Sequence, residues 1–283
     1  MKRIDLHIHT SASDGTDTPR QAVEKAAALG LAAVSVTDHD TAAGVGEAVA
    51  AGEALGVEVV PGIEVSTDYR DNNIHILGYF IDPEADALRT VLDWVEIERR
   101  ERNEKMADML AGAGFDISME QLRAEYPDAV LGRPHFAEFL MKKGYVSSVT
   151  EGFDRYLEVG RPFFLPKRRI SVPRAIEAIV QSGGVPVLAH PMVYRYPENE
   201  VVELIEYALG LGVRAMECYY SENTPEQQAW LLRKAAEYGL GMITGGSDYH
   251  GTRKPWIAMG SGTGQMLVPY DVLEGLKALR EKN

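Results

Sequence analysis

Cysteine and long apolar runs are scarce in this chain, and each shortage excludes a class of protein. Cys218 is the only cysteine among 283 residues, so no internal disulfide framework can form, and the chain fits a reducing compartment. Its neighbours Met216 and Tyr220 predict a buried strand thiol rather than a reactive one. No apolar run reaches the roughly 18 residues that a membrane-spanning helix needs. A disulfide-rich secreted domain and a membrane-spanning helix are therefore not expected.

Positive charge is also in short supply. The chain has 29 Lys and Arg against 42 Asp and Glu, which gives a net charge of −13. Because long nucleic acids bind mainly through phosphate neutralisation, we expect no long duplex partner, and any nucleic-acid substrate should be short. The first strand-like run begins at Arg3, which leaves no room for a targeting segment. We expect a soluble cytoplasmic protein without a membrane partner.

Strand-like and helical stretches alternate over most of the chain. Seven runs rich in Val, Ile and Leu are predicted strands, at 3–9, 32–38, 57–64, 74–80, 184–190, 214–220 and 242–247. Predicted helices follow many of them, at 19–29, 41–55, 172–181, 200–211 and 224–238. The runs are apolar at most positions, as in parallel strands buried on both faces. This alternation predicts an α/β barrel or a doubly wound sheet.

One region interrupts the alternation. Residues 83–166 contain helical stretches and no convincing strand, with predicted helices at 85–113, 118–125, 134–143 and 148–158. We therefore divide the chain into a barrel of residues 1–82 and 167–283 and a helical insertion of residues 83–166. The insertion is predicted to cover the active-site mouth; the alternative is a packing subdomain that does not contact substrate.

The histidines stand in or beside motifs that could present them to a metal or a phosphate. They are His7, His9, His39, His75, His135, His190 and His250. Five of them end or closely follow apolar, β-branched runs, which in a barrel places them at the catalytic end of the strands. Nearby carboxylates are Asp14, Asp38, Asp40, Glu64, Glu217 and Asp248. Such mixed nitrogen and oxygen ligands suit Zn, Mn or Fe.

The spacing of two pairs supports metal binding. His7 and His9 are two residues apart on a strand, so both imidazoles point to one side, and Asp248 and His250 repeat this spacing. Asp14 lies in a Ser/Gly-rich turn, where aspartate is also common for conformational reasons.

Other positions allow ordinary structural roles. We predict His39 as a ligand and Asp40 as a helix N-cap. Glu64 ends the predicted third strand, where a buried glutamate must be paired or metal-bound. His75, taken singly, is more often a satisfied core residue, and Glu217 is a supporting or substrate-facing candidate.

Together these motifs resemble the PHP (polymerase and histidinol phosphatase) superfamily over most of the chain. They are Asp5-Leu6-His7-Ile8-His9-Thr10-Ser11, Thr37-Asp38-His39-Asp40, Pro61-Gly62-Ile63-Glu64, His75-Ile76-Leu77-Gly78-Tyr79, Leu188-Ala189-His190-Pro191 and Gly246-Ser247-Asp248-Tyr249-His250. The resemblance implies an α/β fold, a distorted (β/α)7 barrel with a helical insertion subdomain. It also implies a phosphoesterase that uses two or three divalent metals, of which Mn, Zn and Fe are expected and Mg is possible.

The resemblance further implies three metal positions. The first uses His7, His9, Glu64 and Asp248, the second uses Glu64, His75 and His190, and the third uses Asp14, His39 and His250. In several relatives the third position has a histidine where this chain has Asp14. Aspartate is a harder ligand, which favours Mn or Mg over Zn at this position or leaves the position partly empty.

The insertion and Gly132-Arg133-Pro134-His135 resemble the stand-alone branch, whose members act on nucleoside 3′,5′-bisphosphates and short 5′-phosphorylated RNA. The chain is too short to be the polymerase. The alternatives are a phosphatase for histidinol phosphate or another small monoester, and a non-catalytic metal-binding accessory module.

We expect a metal-activated water to attack phosphorus, with His190, His250 and Asp248 as catalytic residues. Arg133 and His135 are predicted to bind a second phosphate. Arg99, Arg102 and Asn103 share one helix face and are further candidates, although a solvated helix side has the same pattern. Lys167, in a basic run, is a last candidate, with a plain surface loop as the alternative.

Overall fold

The computed structural model describes residues 2–127, 129–166, 168–240 and 242–281. The chain divides into two compact units. One, the barrel unit, consists of Met1–Leu92 and Arg169–Asn283. The other, the helical unit, consists of Asp93–Arg168. No helix within the described ranges is both long and apolar enough to cross a membrane.

The strands form one mixed sheet in the barrel unit. In the described part of the chain they are β1 (Arg3–Ile8), β2 (Ala33–Val36), β3 (Glu58–Tyr69), β4 (Asn72–Tyr79), β5 (Ile170–Ser171), β6 (Val185–Leu188), β7 (Ala215–Tyr220), β8 (Met242–Gly246) and β9 (Val268–Pro269). The spatial order is β8-β7-β6-β4-β3-β2-β1-β9, and the short β5 pairs with β3. The predicted strands are confirmed, and the two-residue strands β5 and β9 were not predicted.

The direction of β4 corrects the expectation of a parallel sheet. It runs antiparallel to both β3 and β6, whereas β1, β2 and β3 pair in parallel, as do β6, β7 and β8. Arg70 and Asp71 both have positive φ, of 52° and 64°, which is typical of a tight two-residue hairpin turn. Strand β3 therefore continues to Tyr69 instead of ending at Glu64.

The sheet nearly closes where β1 meets the end of β8. The His9 amide donates to the Tyr249 carbonyl, and the Asp248 amide donates to the His7 carbonyl, each at 2.8 Å. Gly246 permits this approach, because a Cβ there would lie 2.3 Å from both the Cβ and the backbone nitrogen of His7. The predicted α/β fold with a distorted barrel is confirmed.

Among the described residues, the α-helices that lie wholly within the barrel unit are α1 (Pro19–Ala28), α2 (Val45–Leu55), α7 (Val172–Gln181), α8 (Glu198–Gly210), α9 (Pro225–Glu237) and α10 (Asp271–Arg280). Thr18 and Thr224 cap α1 and α9, each with a reciprocal glutamine three residues later. The predicted cap role of Asp40 is wrong, because α2 starts only at Val45. The Asp40 carboxylate instead accepts a hydrogen bond from the Ser66 amide at 2.8 Å, across to β3.

The helical unit has its own core. It contains most of α3 (Asp86–Gly112), then α4 (Met119–Glu125), α5 (Arg133–Lys142) and α6 (Val149–Gly152), which a π-helical turn, Phe153–Leu157, continues. Met106, Leu110, Leu122, Phe136 and Leu140 are fully buried in this core. The first turns of α3, including the buried Leu88 and Val91, belong to the barrel unit.

Candidate metal centre

Six histidines of the barrel unit converge on one site. β1 carries His7 and its end presents His9, and His39, His190 and His250 follow β2, β6 and β8. His75 and Glu64 come from within the β3–β4 hairpin rather than from strand ends, which corrects the placement expected for Glu64. The antiparallel hairpin turns both side chains toward the same centre.

Four ligand atoms form the first group. His9 Nε2 lies 3.2 Å from His7 Nε2, 3.2 Å from Glu64 Oε2 and 3.1 Å from Asp248 Oδ1. His7 Nε2 lies 3.3 Å from Glu64 Oε2 and 3.6 Å from Asp248 Oδ1. Two atoms that each bind one ion at about 2.1 Å are about 3.0–3.4 Å apart in octahedral or tetrahedral coordination. The distance of 3.6 Å lies just above this range and the others fall within it, so the four atoms are close enough together to be ligands of a single metal.

The second group is built on the other oxygen of Glu64. Glu64 Oε1 lies 2.7 Å from His75 Nδ1 and 2.8 Å from His190 Nε2, and these two nitrogens are 3.4 Å apart. Glu64 thus offers one oxygen to each group, as a carboxylate that bridges two metals does.

The third group contains Asp14, His39, His250 and also His9, all with ligand atoms within 4.8 Å of one another. Asp14 Oδ1 lies 3.3 Å from His250 Nε2 and 3.7 Å from His9 Nδ1. His39 Nδ1 lies 3.1 Å from Glu64 Oε2, so neighbouring groups share residues. The structure therefore brings all of the predicted metal-ligand residues together at one multinuclear centre.

Buried polar atoms show that these residues fit metal ions. Within the described residues, His9 Nδ1, His39 Nδ1 and His190 Nδ1 are buried and make no hydrogen bond. Buried polar atoms are almost always satisfied, so several without partners at one centre call for an additional ligand. Imidazole nitrogens and carboxylate oxygens together form a donor set for divalent transition metals.

Burial and neighbouring charges shift the pKa values of the ligand residues. Burial alone would raise the pKa of the Glu64 carboxyl, but the charges of His75, His39 and His7 hold this pKa well below its usual value. Burial alone would lower the pKa of His9, but hydrogen bonds to Asp248 and Glu64 outweigh it and raise the pKa to about 9. Burial lowers the pKa of His39 to about 3. The carboxylates of the centre thus stay ionised and available to cations.

The match to known proteins agrees with this geometry. The family model for the PHP domain matches residues 5–159, more than half of the chain. The chain belongs to the PHP family. It is 34% identical over 260 residues to a 5′-3′ exoribonuclease of Haemophilus influenzae, covering 92% of this chain and 93% of that protein. It is 33% identical over 254 residues to a 3′,5′-nucleoside bisphosphate phosphatase of Chromobacterium violaceum, covering 88% of each.

A solved structure supports the same family. The crystal structure of a candidate metal-dependent phosphoesterase from Bifidobacterium adolescentis superimposes with a TM-score of 0.85 at 31% identity, covering 98% of this chain and 96% of that one. With the family match and the relatives, this establishes the chain as a metal-dependent phosphoesterase of the PHP family.

Residues around the PHP centre orient its ligands. Glu217 is fully buried; its carboxylate lies 2.9 Å from His7 Nδ1 and accepts the His190 amide at 3.0 Å. A carboxylate on the far nitrogen of a ligand imidazole fixes its tautomer and leaves the other nitrogen for the metal. Of the two roles left open for Glu217, the geometry favours support of the ligands.

Asp248 is held in a similar way. Its Oδ2 accepts hydrogen bonds from the Tyr220 hydroxyl at 2.8 Å and from the Lys254 ammonium at 2.7 Å, which leaves Oδ1 facing the histidines. Sequence reasoning missed Tyr220 and Lys254. A signal was present for Lys254, since it follows the Asp248-Tyr249-His250 motif closely and is a cation in an acidic chain.

Two further aspartates have structural roles. Asp38 accepts hydrogen bonds from the Thr10 amide at 2.7 Å and from the Thr10 and Ser13 hydroxyls at 2.6 Å, which fixes the turn that carries Asp14. Asp5 accepts from the amides of Ser247 and Gly260 at 2.8 and 2.7 Å, which joins β1 to the segment after β8.

Two ligand residues adopt unusual backbone conformations. His190 has a φ of 22° and Asp248 a φ of 56°. Positive φ in a residue other than glycine costs on the order of 1–3 kcal/mol and persists where surrounding contacts impose it. The His190 amide donates to the Glu217 carboxylate and the Asp248 amide donates to the His7 carbonyl, and these bonds supply such contacts.

The predicted substrate contacts lie in the helical unit, apart from Lys167, which lies outside the described residues. Arg102 is 8% exposed, and its Nε makes no hydrogen bond to any described residue, whereas Asn103 donates to the Leu131 carbonyl. Burial, and then the charges of Arg133 and Arg99, lower the pKa of Arg102 to about 10.

The other two predicted contacts in this unit have defined local roles. Arg133 donates to the Leu157 carbonyl at 3.2 Å and lies 5.1 Å from the centre of the Phe164 ring. His135 is 1% exposed, and its Nδ1 accepts the Gly132 amide at the start of α5. His135 is therefore placed to cap its helix, and a contact from it to substrate stays a prediction.

Proposed function

We propose that this PHP phosphoesterase removes the 3′-phosphate of nucleoside 3′,5′-bisphosphates and degrades short 5′-phosphorylated RNA. The observation that carries the proposal is the complete set of ligand groups around Glu64, whose two oxygens each serve one group. A degenerate accessory module would lack some of these ligands. Relatives named for these two activities cover about nine tenths of the chain, which supports this choice of substrate.

We assign the metal positions to the three ligand groups as follows. His7, His9, Glu64 and Asp248 would hold the first ion; Glu64, His75 and His190 the second; and Asp14, His39 and His250 the third. Divalent ions bound there would lower the pKa of a water molecule and neutralise charge on the phosphoryl oxygens. Mn, Zn or Fe suits the donors, and Asp14 makes Mn or Mg suitable at the third position.

The chain's own residues prepare this chemistry. Glu217 holds His7 with its Nδ1 proton turned away from the centre, and Lys254 with Tyr220 holds one oxygen of Asp248 away from it. His250 Nδ1 lies 2.8 Å from the Asp248 carbonyl and donates to it, which leaves Nε2 facing Asp14. The leaving oxygen takes its proton from a water molecule in this proposal, because Nε2 of both His190 and His250 is assigned to a metal position.

The second phosphate of a bisphosphate would bind to the cationic residues of the helical unit. Arg102 carries its charge in a buried position, and Arg99, Asn103 and Arg133 are its partners in the proposal. A buried guanidinium binds phosphate strongly because water screens the interaction little. His135 and Lys167 complete the predicted set.

Phosphate release from adenosine 3′,5′-bisphosphate by the Mn-loaded protein tests the substrate. Glu64→Gln should abolish release, whereas Glu203→Gln, which changes an exposed glutamate paired with Arg70, should retain it. A short 5′-phosphorylated RNA is assayed in parallel for shortening. If neither adenosine 3′,5′-bisphosphate nor the RNA were hydrolysed but histidinol phosphate were, the metal centre would stand and the proposed substrate would be wrong.

Arg133→Met tests the second phosphate site. We expect a much larger loss on adenosine 3′,5′-bisphosphate than on 4-nitrophenyl phosphate, which has no second phosphate. Arg155→Met is the matched control, since Arg155 is a half-exposed arginine of the same unit that pairs with Glu151. Equal losses on both substrates would remove Arg133 from substrate recognition.

A further inference from the structure

Trp256 is a large aromatic side chain that the fold leaves in solvent. It is 61% exposed, and it lies only eight positions after the metal-ligand residue Asp248. An indole buries a large apolar area when it packs, so a ligand that packs against Trp256 would bury this area. None of the roles derived above for the metal centre uses this side chain.

The segment before Trp256 is fastened to the metal-ligand loops. The Thr252 amide donates to the Thr16 hydroxyl at 2.9 Å, and Arg253 donates to the Asp14 carbonyl at 2.9 Å. Lys254 reaches Asp248 Oδ2 at 2.7 Å. The loop is therefore tied at three successive residues to the segments that carry Asp14 and Asp248, which places it at the edge of the centre.

A tight turn then holds the indole outward. The Ile257 amide donates to the Lys254 carbonyl at 2.9 Å, which closes a turn with Pro255 and Trp256 at its two central positions. Proline at the first of these positions fixes the backbone. Ile257 is 2% exposed and anchors the far side of the turn. Because two residues span at most about 7 Å between Cα atoms, Trp256 stays close to Lys254 and hence to the centre.

The charge of this loop is opposite to that of the chain. Residues 251–257 contain Arg253 and Lys254 and no acidic residue, whereas the whole protein has a net charge of −13. An exposed aromatic ring beside cations is the arrangement with which proteins bind single-stranded nucleic acid, where the ring stacks on a base and the cations face the backbone.

We propose that Trp256 is a base-stacking residue that binds a nucleobase of the substrate next to the phosphoester held at the metal centre. This inference rests on the proposed function and deepens it, because it assigns a protein contact to the base. Stacking uses the ring face that every base has, so the contact accepts all four bases. The enzyme should therefore discriminate substrates with a base from those without one, and discriminate little among bases.

The kinetic test compares an ordinary 5′-phosphorylated RNA with an RNA of the same length whose first two nucleotides lack their bases. Trp256→Ala should raise KM for the ordinary RNA by about 5- to 150-fold, the range of measured base–aromatic stacking, and should leave KM for the base-free RNA unchanged. Trp256→Phe keeps an aromatic ring and should raise KM for the ordinary RNA much less. Equal effects of Trp256→Ala on both RNAs, or no effect on either, would overturn the proposal.

A binding test separates this inference from the proposed activity. In a Trp94→Phe, Trp230→Phe background, Trp256 is the only tryptophan left. Adenosine 5′-monophosphate should quench its fluorescence in the metal-loaded protein, whereas ribose 5-phosphate should not. Quenching without hydrolysis of any nucleotide would retain the stacking site and reject the proposed function. Hydrolysis of nucleotides without quenching would retain the function and reject the stacking site.

Discussion

Glu64→Gln should remove two metal ions at once. The carboxylate is fully buried, its Oε1 lies within 2.8 Å of His75 and His190, and its Oε2 lies within 3.3 Å of His7 and His9. Glutamine keeps the shape of the side chain but has one oxygen acceptor and no charge. An amide that cannot serve both groups should weaken both positions together, whereas His190→Gln should weaken only the second.

The expected decrease in the free energy of unfolding follows from the linkage between metal binding and folding. A metal present at 100 times its dissociation constant stabilises the folded state by about 2.7 kcal/mol. Loss of two such positions should therefore lower the free energy of unfolding by about 5 kcal/mol, which corresponds to a decrease of roughly 10–20 °C in Tm. In the metal-free state the substitution should also destabilise the fold, because it removes the carboxylate that pairs with the buried His75 and His190. The difference between the loaded and the chelated protein therefore isolates the part of the loss that metal binding contributes.

Metal content after gel filtration and calorimetric unfolding of the loaded and chelated proteins measure these quantities. Glu203→Gln, at an exposed position, is the control for loss of a carboxylate. If Glu64→Gln retained the metal content and Tm of the wild type, a bridging role for Glu64 would be refuted. If it lost a single ion, as His190→Gln should, Glu64 would serve one position only.

Three further predictions follow from neighbouring contacts. Lys254→Met should weaken Mn binding by about 10- to 100-fold in a titration, because the cation orients Asp248. Lys254→Arg keeps the charge and should weaken Mn binding less. Lys234→Met, at a partly exposed helix position, is the control and should have no effect. Gly246→Ala should destabilise the protein by about 1–3 kcal/mol in urea unfolding, whereas the exposed Gly46→Ala should not, since only Gly246 packs against His7. Burial raises the pKa of the Cys218 thiol to about 12, so a thiol reagent at pH 8 should label only the unfolded chain. The unfolded thiol ionises first, near pH 8.5, so the stability that Cys218 contributes should be intact below that pH and decrease above it.

The strands and the metal ligands were the most predictable parts of this protein. Short, almost wholly apolar runs such as 3–9 and 32–38 are typical of strands buried on both faces of a sheet, so the positions of these strands could be predicted from residue type. The spacing of His7 and His9 fixes them on one side of β1 whatever the rest of the chain does. The resemblance to the PHP superfamily then linked ligands that are far apart in sequence.

The β3–β4 hairpin could not be predicted in the same way. Strand β3 continues to Tyr69 because it pairs with β4 and β5. The two-residue turn at Arg70 and Asp71 contains no glycine, which is the residue that usually predicts such a turn. Asp40 looked like a helix cap because its residue type and position suit one, but Ser66, on a strand far along the chain, provides its partner. Contacts of Lys254 and Glu217 with metal-ligand residues likewise depend on tertiary structure.

We predict that the acidic character of the chain makes phosphoester binding depend on metal. Asp14, Glu64, Glu217 and Asp248 place four carboxylates at the centre of a protein whose net charge is −13, and an anionic phosphoester should be repelled from it until divalent ions neutralise them. Chelation should therefore abolish binding of adenosine 5′-monophosphate as well as hydrolysis, and calorimetric titration of the chelated and Mn-loaded proteins measures this. Undiminished binding after chelation would mean that cationic side chains such as Arg102 and Lys254 suffice to hold the substrate. The same repulsion disfavours long nucleic acids, because the phosphates that lie away from the centre are not neutralised by a metal ion.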